Sequence, residues 1–316
     1  MQRNGIWIQV FSGGRAGRGS CFDFEICFLF CRKPYCMNQF GGDWTQQKIE
    51  IVVAYAKAYL TIMNKYPQFK CLYFDGFAGS GDIYKNDKTD IEIIKGAAIR
   101  ILEINFPKSF DMFYFVELDE ANKTELDKTI DKEFPQKRNK SFVVQEDCND
   151  KLVSMASFLQ KNNSFRVLAF IDPYGMSLNW TSIQVLKNLG IDLWILVPTG
   201  IGMNRLLTRN GNIRESWLKK LEMVLGMERS TIKDYFYKFK SVQTLFGEET
   251  FVEKEKNAIE KAGELYQKRL NEVFKYVSDS FHLKNSTGSV MYHFMMATNN
   301  KAAFNVANDI IKPKKK

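Results

Sequence analysis

Residues 71–81 read CLYFDGFAGSG: an apolar run, an aspartate at position 75, and glycines at 76, 79 and 81. The run CLYFDGF (71–77) has strand length and no strict alternation, as expected of a strand buried on both faces. Working outward, MFYFVELD (112–119), SFVVQED (141–147), RVLAFID (166–172) and DLWILVP (192–198) share that character. Helical candidates lie between them at 96–105, 120–133, 149–161 and 180–189. Strand–helix alternation of this kind predicts a doubly wound, mostly parallel α/β sheet with helices on both faces. Upstream, a helical period starts near Asp43 and runs through Ile49, Val52, Ala56, Tyr59 and Met63. Residues 203–285 break the rhythm with a long charged region that reads as helical. MYHFMMAT (291–298) is a late strand and 301–311 a closing helix.

Composition narrows the options. The chain has 316 residues and a net charge of +9. Residues 1–38 carry +3 and 312–316 carry +4, which leaves +2 for 39–311. The basicity therefore says little about the folded body. No apolar run approaches the ~18 residues of a membrane-spanning helix, and the N-terminus lacks a signal-peptide pattern. A soluble cytoplasmic protein, with no membrane partner, is the expectation. Cys21, Cys27, Cys31 and Cys36 lack the paired CxxC spacing of a zinc ribbon. Cys71 and Cys148 read as small buried side chains. With only His282 and His293 in the chain, metal sites built on histidine and Ser-His-Asp chemistry are disfavoured, and no metal is expected. The organisation expected is an N-terminal extension over 1–38 outside the main fold and a cofactor-binding core over 39–204. An insertion over 205–285, the final strand and helix over 286–311, and a basic tail over 312–316 complete it.

Ligands of doubly wound sheets sit at the carboxyl ends of the strands. The first such end carries Asp75, Phe77, Ala78, Gly79 and Gly81, where glycines let a ligand approach the backbone. No GKS/T follows, since Lys85 is too far along, and the GxGxxG pattern is absent, so neither a P-loop nor a dinucleotide fingerprint is present. By itself the turn also fits a plain tight turn. The second end carries Glu117, able to accept two hydrogen bonds from a ribose diol. The third carries Asp147, able to meet an adenine amino group. The fourth reads Asp172-Pro173-Tyr174-Gly175. There a carboxylate can orient an exocyclic NH2 and stabilise positive charge as the nitrogen attacks, and Tyr174 offers a face for a flat base. The plainer alternative is that Asp172 and Pro173 only shape the strand-to-helix turn. A Mg2+-dependent hydrolase or nuclease would require Asp75, Glu117, Asp147 and Asp172 to converge, and the sequence places no lysine beside them in a nuclease-like pattern.

FDGFAGSG, VELD, QED and DPYG resemble, in order and content, the motifs of Rossmann-like methyltransferases that use S-adenosylmethionine. More narrowly, FGGDWTQQK (40–48), YFDGFAGSG (73–81), KGAAIRIL (95–102), FVELD (115–119), IDPYG (171–175) and MATN (296–299) resemble the three-Cys-motif partner (TcmP) proteins over about 40–311. The resemblance implies a class I methyltransferase-like sheet of about seven strands with a helical insertion after strand five. It places Asp75, Phe77, Ala78, Gly79 and Gly81 around the methionine end of S-adenosylmethionine, Glu117 on the ribose and Asp147 on the adenine. Asp172, Pro173 and Tyr174 then face the transferred methyl group. The DPPY or NPPY pattern of amino-group DNA methyltransferases is approximated with one proline missing, and DPYG is closer to the DPFG of some tRNA guanine methyltransferases. The function implied is methylation of an exocyclic base nitrogen of a nucleic acid. The alternative is a noncatalytic adaptor of a three-cysteine, radical-enzyme-like partner, in phage defence. Residues 205–240 hold nine basic and four acidic side chains, interleaved with Trp217, Tyr235, Phe236, Tyr237 and Phe239. They read either as a nucleic-acid surface or as a lid whose aromatics face inward.

Overall fold

A computed structural model describes residues 44–87, 90–245 and 247–312. The N-terminal extension with its four cysteines, the Asp43 cap, the start of the FGGDWTQQK stretch and most of the lysine tail lie outside the described residues. Helix α1 (Trp44–Met63) leads into β1 (Lys70–Asp75). A hairpin, β2 (Asp82–Asp87) and β3 (Asp90–Lys95), then precedes α2 (Ala97–Leu102). The alternation follows as β4 (Met112–Glu117), α3 (Glu120–Glu133), β5 (Ser141–Gln145), α4 (Cys148–Lys161), β6 (Phe165–Ile171), α5 (Trp180–Gln184) and β7 (Ile191–Val197).

The main sheet has the order β5-β4-β1-β6-β7, all parallel. Beyond β7 runs β12 (Val290–Thr298), antiparallel to it. The outer edge of β12 is shared by β10 (Tyr276–Val277) and β11 (Phe281–Lys284). A mostly parallel sheet with one reversed strand near its edge and helices on both faces is the class I methyltransferase-like α/β fold. The strand order reverses at β1, with β4 on one side and β6 on the other, so a crevice opens at its carboxyl end.

The strands are apolar throughout because both faces are covered. Leu72 and Phe74 of β1 join one core with α4, α5 and the insertion, while Cys71 and Tyr73 join the other with α1, α2, α3 and α10 (Lys301–Ile311). Cys71 and Cys148 are buried free thiols.

The insertion differs from a purely helical one. After α6 (Asn204–Leu206), α7 (Glu215–Leu225) and α8 (Arg229–Phe236), the chain forms an antiparallel hairpin, β8 (Tyr237–Thr244) and β9 (Gly247–Lys254). Helix α9 (Ala258–Val273) follows, and β10 and β11 have rejoined the sheet before residue 286. Phe236 and Tyr237 are buried in the core, so they offer no face to a base; of the aromatic set, Phe239 is exposed.

Helix α7 ends on Gly226 in the left-handed region, φ +61°. A Cβ there would stand 2.0 Å from Cδ1 of the buried Trp180. Arg269 donates to the carbonyls of Leu225 and Gly226 and lies 4.7 Å from the Trp180 ring centroid. Gly226→Ala therefore meets both backbone strain and overpacking, a loss of about 2–4 kcal/mol, to be read as a lower midpoint in urea unfolding.

Candidate functional site

The crevice is built from the turn after β1. The ladder continues one residue past the strand, with Gly76 N–H donating to Phe170 O at 3.0 Å. A Cβ on Gly76 would lie 2.5 Å from Cys148 Sγ and 2.6 Å from Ile171 Cδ1, so only glycine lets the chain pass here. Ala78 N–H then donates to Val116 O at 3.0 Å, laying the turn against the end of β4. Gly79 (φ +64°) and Gly81 (φ +94°) take conformations that side chains resist. A Cβ on Gly79 would meet nothing within 4 Å, so its backbone faces open space. Gly96 N–H closes the far end on Gly81 O at 2.7 Å, and a Cβ on Gly96 would sit 2.8 Å from that oxygen. The KGAAIRIL stretch thus holds the glycine turn in place.

Glu117 joins this turn directly. Its Oε2 accepts from Gly79 N–H at 2.8 Å and its Oε1 from Asp119 N–H at 2.9 Å. Each carboxylate oxygen keeps one further lone pair, so both can also accept from a diol. Next to it Leu118 is 66 % exposed, an apolar surface at the crevice rim. Asp119 caps α3 through Asn122 N–H at 2.9 Å.

Asp75 lies beneath the turn, buried, with Oδ1 accepting from Phe77 N–H at 3.2 Å and Oδ2 from Tyr73 Oη at 3.1 Å. Burial pushes its carboxyl up to about 7, against those two hydrogen bonds, and the neighbouring Asp172 and Glu117 charges add to the rise. The folded carboxyl keeps its proton to about pH 7, where its ordinary value is 3.8. Folding therefore takes up a proton between those values. The stability this group contributes is full below about pH 4 and declines as pH rises to 7. Between pH 5 and 7.5 the wild type should lose about 2–3 kcal/mol relative to Asp75→Asn, measured by urea unfolding at each pH.

Asp147 is an exposed helix cap: its Oδ1 accepts from Asn149 N–H at 2.7 Å and from Asn149 Nδ2 at 2.8 Å. Asn149 in turn binds Ser177 O and Asn179 N–H, tying the start of α4 to the loop after β6. Cys148, one residue on, fills the space under Gly76.

At the end of β6, Asp172 forms an ion pair with Lys48 of α1. Lys48 is buried, closes the FGGDWTQQK stretch and lies 124 residues from its partner, so no local pattern in the sequence marks the pair. Pro173 is buried, Tyr174 is 92 % exposed, and Gly175 turns the chain at φ +62°. Tyr292, at the start of β12, has its hydroxyl pushed up by burial and by the Asp172 charge, with Arg205 acting in the opposite sense. The Asp172 and Glu117 charges thus both act on Asp75, and Asp172 and Arg205 both act on Tyr292. Among the described residues, no three or more His, Cys, Asp or Glu side chains gather into a group that could hold a metal ion.

Of the basic insertion, Arg229 is held by Glu215 and Glu222, Lys238 by Glu255 and Lys240 by Glu253. Arg205, Arg209, Arg214, Lys219 and Lys233 are exposed. No helix among the described residues is long and apolar enough to cross a membrane.

No protein-family model matches the chain, and no curated protein matches it. Among solved structures it is similar to a DUF519-family protein from Legionella pneumophila at 14% identity, covering 87% of this chain and 95% of that one, with a TM-score of 0.45. It is similar to Trm1 from Pyrococcus horikoshii in complex with S-adenosylmethionine at 11% identity, covering 80% and 63% of the two chains, with a TM-score of 0.34. The glycopeptide N-methyltransferase MtfA, complexed with S-adenosylhomocysteine, gives 11% identity, 78% and 89% coverage, and a TM-score of 0.31.

Proposed function

We propose that this protein binds S-adenosylmethionine in the crevice after β1 and transfers its methyl group to an exocyclic base nitrogen of a nucleic acid. The observation that carries the reading is the contact between Gly79 N–H and Glu117 Oε2, which joins an open glycine turn to a carboxylate with acceptor capacity left over. The residues fit the cofactor chemically. Glu117 takes the ribose diol, and Leu118 gives the adenine ring an apolar seat. Asp75, with Phe77, Ala78, Gly79 and Gly81, lies at the methionine end, where a cationic ligand favours its ionised form. Asp147 contributes at the adenine edge.

Bound S-adenosylmethionine supplies an electrophilic methyl group on a sulfonium. Asp172 accepts a hydrogen bond from the acceptor NH2, fixes its lone pair towards that methyl, and offsets the positive charge that develops on nitrogen. Lys48 orients the carboxylate. Tyr174 stacks on the base while Pro173 stiffens the turn, and Arg205 and Arg209 attract the phosphate backbone. Such a protein works in the cytoplasm.

The Lys48–Asp172 pair favours a second reading. A carboxylate already engaged suits a methyltransferase fold kept as an adaptor, one that serves a three-Cys-motif partner as a TcmP protein would. Incubation with methyl-labelled S-adenosylmethionine and mixed cellular RNA or DNA, followed by nucleoside mass spectrometry, separates the two. A methylated base supports the enzyme. Cofactor binding without transfer to either nucleic acid supports the adaptor.

A further inference from the structure

Residues 204–214 hold three arginines and no acidic side chain. The segment starts at the acceptor end of the crevice, where the charges of Arg205 and Asp172 both act on Tyr292. Arg205 and Arg209 are exposed, and among the described residues neither is held by a carboxylate. The same segment carries the foot of the β8–β9 hairpin. Tyr237 Oη donates to Thr208 O at 2.9 Å, Lys254 N–H to Arg209 O at 3.0 Å, and Lys254 Nζ to Leu207 O at 2.8 Å. A Cβ on Gly211 would lie 2.9 Å from Cγ1 of Val252, which packs on the core.

Side chains alternate along a strand, so Phe239 shares the face of the buried Tyr237, and it lies directly opposite Val252. Tyr237 and Val252 reach the core, whereas Phe239 is 76 % exposed. A strand advances ~3.3 Å per residue, which sets Phe239 ~7 Å beyond Tyr237. Directly opposed side chains lie ~5 Å apart, so Val252 links the uncovered phenyl ring to the arginine segment at Gly211. Gln243, further along the same face, is exposed and uncharged.

Guanidinium groups for phosphates and an open aromatic face for bases are the two parts of a single-strand site. We infer that residues 204–214 and Phe239 form a track for single-stranded nucleic acid that runs from Asp172 to the hairpin. This rests on the nucleic-acid substrate proposed above and narrows it to unpaired strands. Arg205 holds the phosphate beside the target nucleotide, Arg209 holds a neighbouring one, and Phe239 stacks on an unpaired base further along. A duplex fits poorly, because its bases are already stacked and offer Phe239 no open face. An exocyclic nitrogen also reaches Asp172, whose side chain is 21 % exposed, only when its base has left the helix. The opposite face of the hairpin is no rival surface for phosphates, since Lys238 and Lys240 already pair with Glu255 and Glu253.

Fluorescence anisotropy of the full chain, without cofactor, tests this. The probes are fluorescein-labelled RNA and DNA strands of about 16 nucleotides and the matching DNA duplex. One or both single strands should bind saturably, and the preference between them tells RNA from DNA. The duplex should bind at least about tenfold more weakly than the preferred strand. Phe239→Ser should weaken strand binding about tenfold, and Phe239→Trp should keep it. Neither should change the melting temperature, because the side chain is exposed. Arg205→Gln with Arg209→Gln should lower the slope of log affinity against log salt by about 1.4, the value for two single-strand phosphates. A duplex that binds as tightly as either strand overturns the inference, as does Phe239→Ser with wild-type affinity, and the methyltransferase reading survives both results. Absence of binding to every probe overturns the two together. Strand binding that depends on Phe239, in a protein that fails to bind S-adenosylmethionine, upholds the track and removes the enzyme.

Discussion

On the proposed function, Asp172→Asn should lower the rate of methyl transfer by about 100- to 1,000-fold and leave the Kd for S-adenosylmethionine within a factor of two or so. The size follows from what the substitution removes. Asparagine keeps an acceptor oxygen and the shape of the turn, but loses the negative charge that stabilises a nitrogen becoming cationic, an effect of ~3–4 kcal/mol when one such group is lost. Cofactor affinity should be spared because Asp172 lies at the end of β6, while the residues proposed to hold the ribose and methionine lie at the ends of β1 and β4. Lys48→Met is the companion experiment. It frees the carboxylate without removing it, so its effect on turnover should be smaller than that of Asp172→Asn, again with little change in cofactor affinity. Single-turnover transfer, with cofactor binding measured separately, checks both variants.

On the same reading, Glu117→Ala should weaken S-adenosylmethionine and S-adenosylhomocysteine alike, by about 10- to 100-fold. The loss of charge-assisted hydrogen bonds to the diol costs about 1.5–3 kcal/mol, and the two ligands share the ribose. The alanine variant also leaves the Gly79 and Asp119 N–H groups without their acceptor, so the glycine turn loosens at the same time. Glu117→Gln should fall between wild type and alanine, since its amide keeps one acceptor oxygen and places an NH2 where the other oxygen stood. Equal weakening of both ligands places the defect at the shared ribose. A loss confined to S-adenosylmethionine would point to the sulfonium instead.

Much of the fold is legible in the sequence for a physical reason. Strands buried on both faces announce themselves as unbroken apolar runs, so β1, β4, β5, β6, β7 and β12 lie where CLYFDGF, MFYFVELD, SFVVQED, RVLAFID, DLWILVP and MYHFMMAT stand. Asp119 and Asp147 mark their helices by capping them. The two hairpins are hidden because their strands are polar. Lys238-Phe239-Lys240 alternates at a period of two, a strand signature, yet among so many charges it also passes for part of a helical surface. β10 and β11 are too short to show any period.

The site divides in the same way. Asp75, Glu117 and Asp172 can be placed because each ends a strand, and topology brings strand ends together. Lys48 cannot, because its place beside Asp172 comes from how α1 packs on the sheet, a contact between residues 124 apart. The buried position of Phe236 and Tyr237 was likewise decided by tertiary packing, with Tyr237 anchored on Thr208 O.

The central claim is that a sulfonium nucleoside occupies the crevice between the glycine turn and Glu117. Titration calorimetry with S-adenosylmethionine, on protein shown to be folded by its thermal transition, tests it most directly. The expected result is saturable 1:1 binding that Glu117→Ala weakens by at least tenfold. The absence of heat and of competition by S-adenosylhomocysteine at millimolar cofactor would contradict it.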